Sequence, residues 1–346
     1  MACLRSARAR WSALLLGALP LAVPTSAAAA TYAPSPGHVF NSGLGGYGAD
    51  APDAFGRQAG KHPAVYQYFI SWRAGRRDVH WLDGLLRDTE RARSRAMFAV
   101  STTGTRLTPA AIARGEGDGF LIALNELLAE HGRPTYLRLL SEMNNGNNPY
   151  SAYTLSGRSR GPAYSTREFK RAWRRAVLVV RGGDVATLDG RLARLGMPPV
   201  RSGAQTLARP KVAIMWVPLT YGNPEIPRNH PRHWWPGSRY VDWVGTTWYS
   251  PYLAVRAIES FYRFPLWRGK PFAFGEYGVW GAESPRFIRL FFRFVRTHRR
   301  VKLISYYESA NLEREFRLSS HPRSRSLLRR LLRSPRFLGY APEFDY

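Results

Sequence analysis

The strongest constraint on the fold of this chain is a rhythm. Eight short runs rich in β-branched and aromatic residues, at 38–41, 64–72, 96–102, 135–141, 212–216, 243–249, 272–276 and 302–307, alternate with segments long enough for a helix. A strand followed by a helix must return to the same sheet to bury both apolar faces, so this order predicts parallel strands with helices outside them. Eight such units close into a barrel. Helix starts are marked by side chains able to accept from exposed backbone N–H groups: Thr108 before Pro109, Ser284 before Pro285, and Ser165 three residues before Glu168. The segments 118–131, 168–180 and 285–298 then carry apolar residues at three-to-four spacing, and 327–332 reads as a last, arginine-rich helix. Only 182–210, with Gly182-Gly183 and Pro198-Pro199, breaks the pattern. The expected fold is therefore α/β, a single (β/α)8 TIM barrel over 31–346 with an extended, irregular connection before strand five.

The first thirty residues read as a secretory signal peptide. Arg5, Arg8 and Arg10 precede an apolar run from Trp11 to Val23 that Pro20 interrupts, and Ala27 to Ala30 supply a small-residue exit. No later run reaches the roughly twenty apolar residues of a membrane span. Secretion is the expected localisation. The lone cysteine, Cys3, falls in this leader, so the mature chain has no disulfide or thiolate metal site and relies on its core.

The formal charge is +27, and removing Arg5, Arg8 and Arg10 leaves +24. Forty-six arginines against five lysines supply the excess, and they are scattered along the chain. A nucleic-acid partner needs a clustered basic stripe with interleaved aromatics, and no such stripe is present. Salt-sensitive association with anionic cell-wall glycan is the expectation that survives.

Two carboxylate motifs end strand-like runs: Tyr136-Leu-Arg138-Leu-Leu-Ser-Glu142-Met-Asn144 and Pro271-Phe-Ala-Phe-Gly-Glu276-Tyr-Gly278. Strand alternation places Arg138, Leu140 and Glu142 on one face, with Glu142 nearest the C-terminal rim where barrel sites form. A barrel-facing arginine is costly unless paired, so Arg138 is expected to meet Glu276 or Glu142. The Asn-rich loop after Glu142, Met143 to Asn148, suits hydrogen bonding to hydroxyls. Two carboxyl groups at one barrel mouth are the equipment for glycosidic bond cleavage.

Glu142-Met-Asn on the fourth run, Gly275-Glu-Tyr-Gly on the seventh, Asp242-Trp-Val-Gly-Thr-Thr-Trp-Tyr249 on the sixth, Met215-Trp216 on the fifth and His62-Pro-Ala-Val-Tyr-Gln-Tyr68 on the second together resemble glycoside hydrolase family 26. The resemblance spans about His38 to Tyr307. It implies a retaining barrel glycosidase with Glu142 as general acid/base, Glu276 as nucleophile, and Arg138 and Tyr249 holding the nucleophile. Retention requires the carboxyl groups to lie about 5–5.5 Å apart. Mannan-cleaving members usually carry His before the acid/base and tryptophans soon after it. Here Ser141 and the Asn-rich loop stand in those places, so the resemblance does not name the glycan.

Trp72, Trp216, Trp248, Trp280 and Tyr306, at or just past strand ends, offer candidate sugar platforms, with Trp216, Trp248 and Tyr306 foremost and Asn144 as a polar contact. His230, His233 and Glu225 sit in a Pro-rich loop without an element to fix ligand geometry, and no phosphate-binding or dinucleotide motif occurs. The expected protein is a monomeric, cofactor-free, secreted hydrolase of β-linked polysaccharide. The alternative is a barrel that binds cell-wall glycan without cutting it.

Overall fold

The computed structural model describes residues 31–72, 79–311 and 314–344. The expected signal peptide lies outside the described residues. Among the described residues, no helix is long and apolar enough to cross a membrane.

Eight parallel strands form the barrel: β1 (Val39–Leu44), β2 (Val65–Ser71), β3 (Arg95–Ser101), β4 (Thr135–Leu139), β5 (Val212–Trp216), β6 (Trp243–Tyr249), β7 (Phe272–Gly278) and β8 (Val301–Tyr307). Each pairs with the next, and β8 pairs with β1 from Phe40↔Leu303 to Leu44↔Tyr307, which closes the cylinder. The strands are buried almost end to end, as strands covered on both faces must be. Inward residues Phe40, Met97, Tyr136, Ala213, Met215, Trp243, Ala273 and Leu303 fill the lower interior as a cluster separate from the layer between strands and helices.

The outer layer holds α1 (Ala51–Ala59), α2 (His80–Arg91), α3 (Pro109–Ala113), α4 (Asp118–His131), α5 (Thr166–Arg181), α6 (Val185–Arg194), α7 (Val255–Arg263), α8 (Pro285–Thr297) and α9 (Pro322–Leu332). The three expected caps form: Thr108 accepts from the Ala111 N–H, Ser165 from Glu168 and Ser284 from Phe287. Between β5 and β6 three short 3-10 turns replace a helix, and Trp234 and Trp235 fill the space it would occupy.

The segment 182–210 is not the irregular run expected. It contains α6, clasped by an antiparallel pair between Gly183–Asp184 and Thr206–Leu207. Arg175 of α5 anchors its return: the guanidinium donates to both oxygens of Asp118 (2.8 and 2.6 Å) and to the carbonyls of Pro198 and Pro199. Asp118 also accepts from the Arg201 N–H at 3.0 Å. A fully buried ion pair endures only when its remaining donors and lone pairs are used, and this one meets that condition.

The barrel floor is closed by both described ends of the chain. Arg95 and the Tyr136 hydroxyl each donate to the Tyr32 carbonyl, Trp243 donates to that of Thr31, and Arg95 grips both oxygens of Glu343 at 2.7 Å. Solvent therefore meets the interior at the opposite, C-terminal mouth.

Candidate active site

Glu276 reaches the mouth through an irregularity. Phe274 packs outward on Phe291 and Phe294, so simple alternation would send Glu276 outward as well. Instead β7 bulges: Thr246 and Thr247 of β6 pair with Phe274 and Glu276, skipping Gly275, and β8 skips in step between Ile304↔Phe274 and Tyr306↔Tyr277. The extra residue turns both Gly275 and Glu276 inward and lets Tyr277 resume the outer face, stacked on Phe291 at 3.9 Å. Glycine suits the bulge, because a Cβ there would lie 3.0 Å from both Arg138 Nε and Val217 Cγ1 and would require one of them to give way.

Glu142 also arrives by a route other than strand alternation. β4 ends at Leu139, and the chain then turns through Leu140 (φ 40°) and Glu142 (φ 50°), both in the left-handed region. Leu140 packs in the outer core, contrary to the expected shared face with Glu142. Neither residue type favours this backbone, whose cost is about 1 kcal/mol or more each. The surroundings hold it: the Leu140 N–H donates to Val100 O at 2.8 Å, Glu142 N–H to Val217 O at 2.7 Å, and Tyr150 Oη and Asn148 Nδ2 to Ser141 O.

The two carboxylates have different environments. Arg138, fully buried, donates to Oε1 of Glu276, and the Tyr249 hydroxyl donates to Oε2. Gln67 sits behind Arg138, its amide oxygen accepting from Nη1 and its nitrogen donating to Gly275 O, each at 3.3 Å. Burial opposes the Arg138 charge, but Glu276 and Glu142 outweigh it and keep the guanidinium protonated. Tyr249 is held well above its ordinary value by burial and by both carboxylates, so it remains a neutral donor.

Glu142 instead accepts from two neutral groups, the Thr247 hydroxyl (2.8 Å, Oε1) and Asn145 Nδ2 (3.0 Å, Oε2). Burial, and then the charge of Glu276, raise its pKa above the usual carboxylate range; Arg138, Asn145 and Thr247 offset this only in part. Thr247 is the β6 register partner of Glu276, so the hydroxyl that touches one carboxylate stands on the backbone beside the other. One carboxyl is thus gripped by a cation and a phenol while its neighbour is disposed to carry a proton, the division of labour that general-acid chemistry uses.

Of the expected site residues, Glu142, Glu276, Arg138 and Tyr249 converge. Four others do not. Trp216 is fully buried between barrel and helices against Trp235, Phe261 and Trp267. Trp248 is buried among Phe274, Phe287, Phe291 and Phe294 and donates to Tyr252 O. Tyr306 is buried against Tyr277 and donates to Phe316 O. Asn144 spends its amide on Leu219, accepting from its N–H and donating to its carbonyl at 2.9 Å each, and so ties the loop after β4 to the loop after β5. These four side chains build walls and do not face the mouth. Trp72 is likewise buried, on Phe120, while Trp280 is half-buried beside Tyr249 and Phe316.

Strand alternation explains the misses. On β8 the inward residue is Tyr307, one past Tyr306, and on β6 the inward residues Thr247 and Tyr249 bracket Trp248. Tyr307, pushed up to about 12 by burial and then by Glu276, packs near the Tyr249 ring at 6.2 Å. Gln67, a polar residue inside an apolar strand, carried a readable signal. Asn145 did not, because only the turn after β4 selects it over its neighbours.

No protein-family model matches the chain, and no curated protein matches it. Solved structures do. A modular endo-β-1,4-mannanase of glycoside hydrolase family 26 from Cellulomonas fimi superposes with a TM-score of 0.61 at 14% identity, covering 90% of this chain and 75% of that one. The YdhT protein from Bacillus subtilis gives 0.57 at 14% identity over 90% and 89%. A family 26 β-mannanase from Bacteroides ovatus gives 0.52 at 14% over 88% and 90%. The resemblance carried by the sequence motifs thus meets a shared barrel fold, at an identity that speaks for fold alone.

Proposed function

We propose that this protein is a secreted retaining glycosidase that hydrolyses a β-linked polysaccharide, mannan-like or from the cell wall, by double displacement. The observation that carries this reading is the asymmetry of the pair: Glu276 held by Arg138 and Tyr249, Glu142 raised by burial and by Glu276. Fold likeness to family 26 mannanases supports the same reaction class.

In the first step Glu276 attacks the anomeric carbon while Glu142 gives its proton to the departing glycosidic oxygen. The C–O bond to the leaving sugar breaks as the glycosyl ester forms. Esterification removes the Glu276 charge, and with it one cause of the raised Glu142 pKa, so Glu142 then accepts a proton from water as the ester is hydrolysed. Arg138 and Tyr249 keep the Glu276 oxygens fixed in orientation through both steps.

The test is the release of reducing ends from a panel of mannans, xylans, mixed-linkage and acidic glucans. Wild type is expected to cut at least one with the β-anomer as first product, and Glu276→Ala to bind that glycan without turnover. Undiminished activity in Glu276→Ala overturns the assignment. Binding by the wild type without new ends would establish the non-catalytic barrel instead.

A further inference from the structure

The mouth continues outward as a band of half-buried and exposed rings that the two-carboxylate chemistry does not use. Tyr307, beside Tyr249, packs 6.1 Å from Phe69 at the upper end of β2. Phe69 is 40% exposed although it lies within a strand whose other residues are almost all buried. The Tyr47 hydroxyl, from the loop after β1, donates to the Phe69 carbonyl at 2.7 Å, and the Tyr47 ring lies 6.2 Å from that of Trp81. Tyr47 and Trp81 are 59% and 48% exposed. Large rings left in contact with water as one contiguous band, and not scattered singly, mark a binding surface.

Direction follows from the order of strands. In an eight-membered cylinder β8 stands across from β4, so a chain whose leaving end passes Glu142 on the β4 side extends its other end over β8, β1 and β2. Tyr307 at the end of β8, Tyr47 in the loop after β1, Phe69 on β2 and Trp81 at the start of α2 occupy that side. Their faces suit the apolar faces of pyranose rings with equatorial linkages, and none carries a charge to select an anionic sugar.

Resting on the glycosidase reading above, we infer that these four residues form a glycone-side track for at least three consecutive neutral β-linked pyranose units, so that the enzyme cuts within chains. The test uses mannose and glucose β-1,4-oligosaccharides of three to six units, with kcat/KM on the wild type and calorimetric binding on Glu276→Ala. Catalytic efficiency is expected to rise about tenfold per stacked unit until the track is full. Trp81→Ala and Tyr47→Ala are expected to lose most of that rise and keep the trisaccharide rate, and Trp81→Phe to retain part of it. Length dependence unchanged in both alanine variants, or absent in the wild type, overturns the track while leaving the glycosidase reading in place. Neither cleavage nor binding of any member of either series overturns both.

Discussion

A carboxylic acid serves as proton donor only over the pH range in which it keeps its proton, and in this site that range is set by named neighbours. Thr247 and Asn145 donate to the ionised form of Glu142 and so lower its pKa, against burial and Glu276, which raise it. The alkaline limb of kcat/KM is therefore expected above the ordinary carboxylate range, falling as Glu142 deprotonates. Thr247→Val removes a donor to the charged form, so the proton is held more tightly and the limb moves to higher pH, by about one pH unit for a charge-assisted bond. A limb that stays in place or moves down in the pH–rate profile of that variant excludes Glu142 as the group titrating there. At this scale the convergence of Glu142, Glu276, Arg138 and Tyr249 was legible where a motif marked them. Trp248 and Tyr306 each stand one residue from an inward-facing neighbour, Thr247 and Tyr307, so proximity to a strand end does not by itself place a side chain at the mouth. A shift of one residue moves a side chain from the mouth to the helix layer.

At the level of elements, the site depends on two departures from regular structure. The β7 bulge at Gly275 turns Glu276 inward, and the left-handed turn after β4 does the same for Glu142. A methyl at position 275 comes within 3.0 Å of Arg138 Nε and Val217 Cγ1, so one of them must shift to admit it. Gly275→Ala is expected to cost about 1–3 kcal/mol of stability through overpacking. It should also lower kcat/KM at least tenfold by displacing Arg138 and Glu276 from each other. Thermal denaturation and kinetics on the same sample check both, and wild-type kcat/KM in a folded variant would show that the bulge does not set the catalytic geometry. Neither departure was visible in the sequence motifs. A bulge is defined by the pairing of neighbouring strands, and that information lies far from Gly275 in the chain. The same holds for 182–210: its glycines and prolines spoke for irregularity, whereas Asp118 and Arg175 supply the anchor that lets α6 pack there.

Over the whole molecule, the floor is sealed by Thr31, Tyr32 and Glu343 and the mouth is left to solvent. Part of the positive charge is gathered on the outer helices. Arg286, Arg289, Arg323 and Arg330 of α8 and α9 line one side groove of about 370 Å³, and Arg167, Lys170, Arg171 and Arg174 of α5 line another. Association with an anionic glycan is expected at these faces, independent of the catalytic mouth. On immobilised polygalacturonate, retention is expected to fall steeply as salt rises, and the double variant Arg323→Gln, Arg330→Gln to elute earlier than wild type with its hydrolytic rate unchanged. Retention that is flat across the salt gradient rules the association out.

The sequence by itself determined the barrel, its eight strands, the caps of three helices and the carboxylate pair. Each of these follows from local chemistry: apolar periodicity, a capping oxygen at a fixed offset, or a charged residue ending a buried run. Tertiary structure alone decided which side of each strand faces the mouth near its irregularities, which amide of the Asn-rich loop reaches Glu142, and which aromatic rings remain in water. Those outcomes depend on register between strands and on packing against helices distant in sequence, and a single residue's slip in either reverses them.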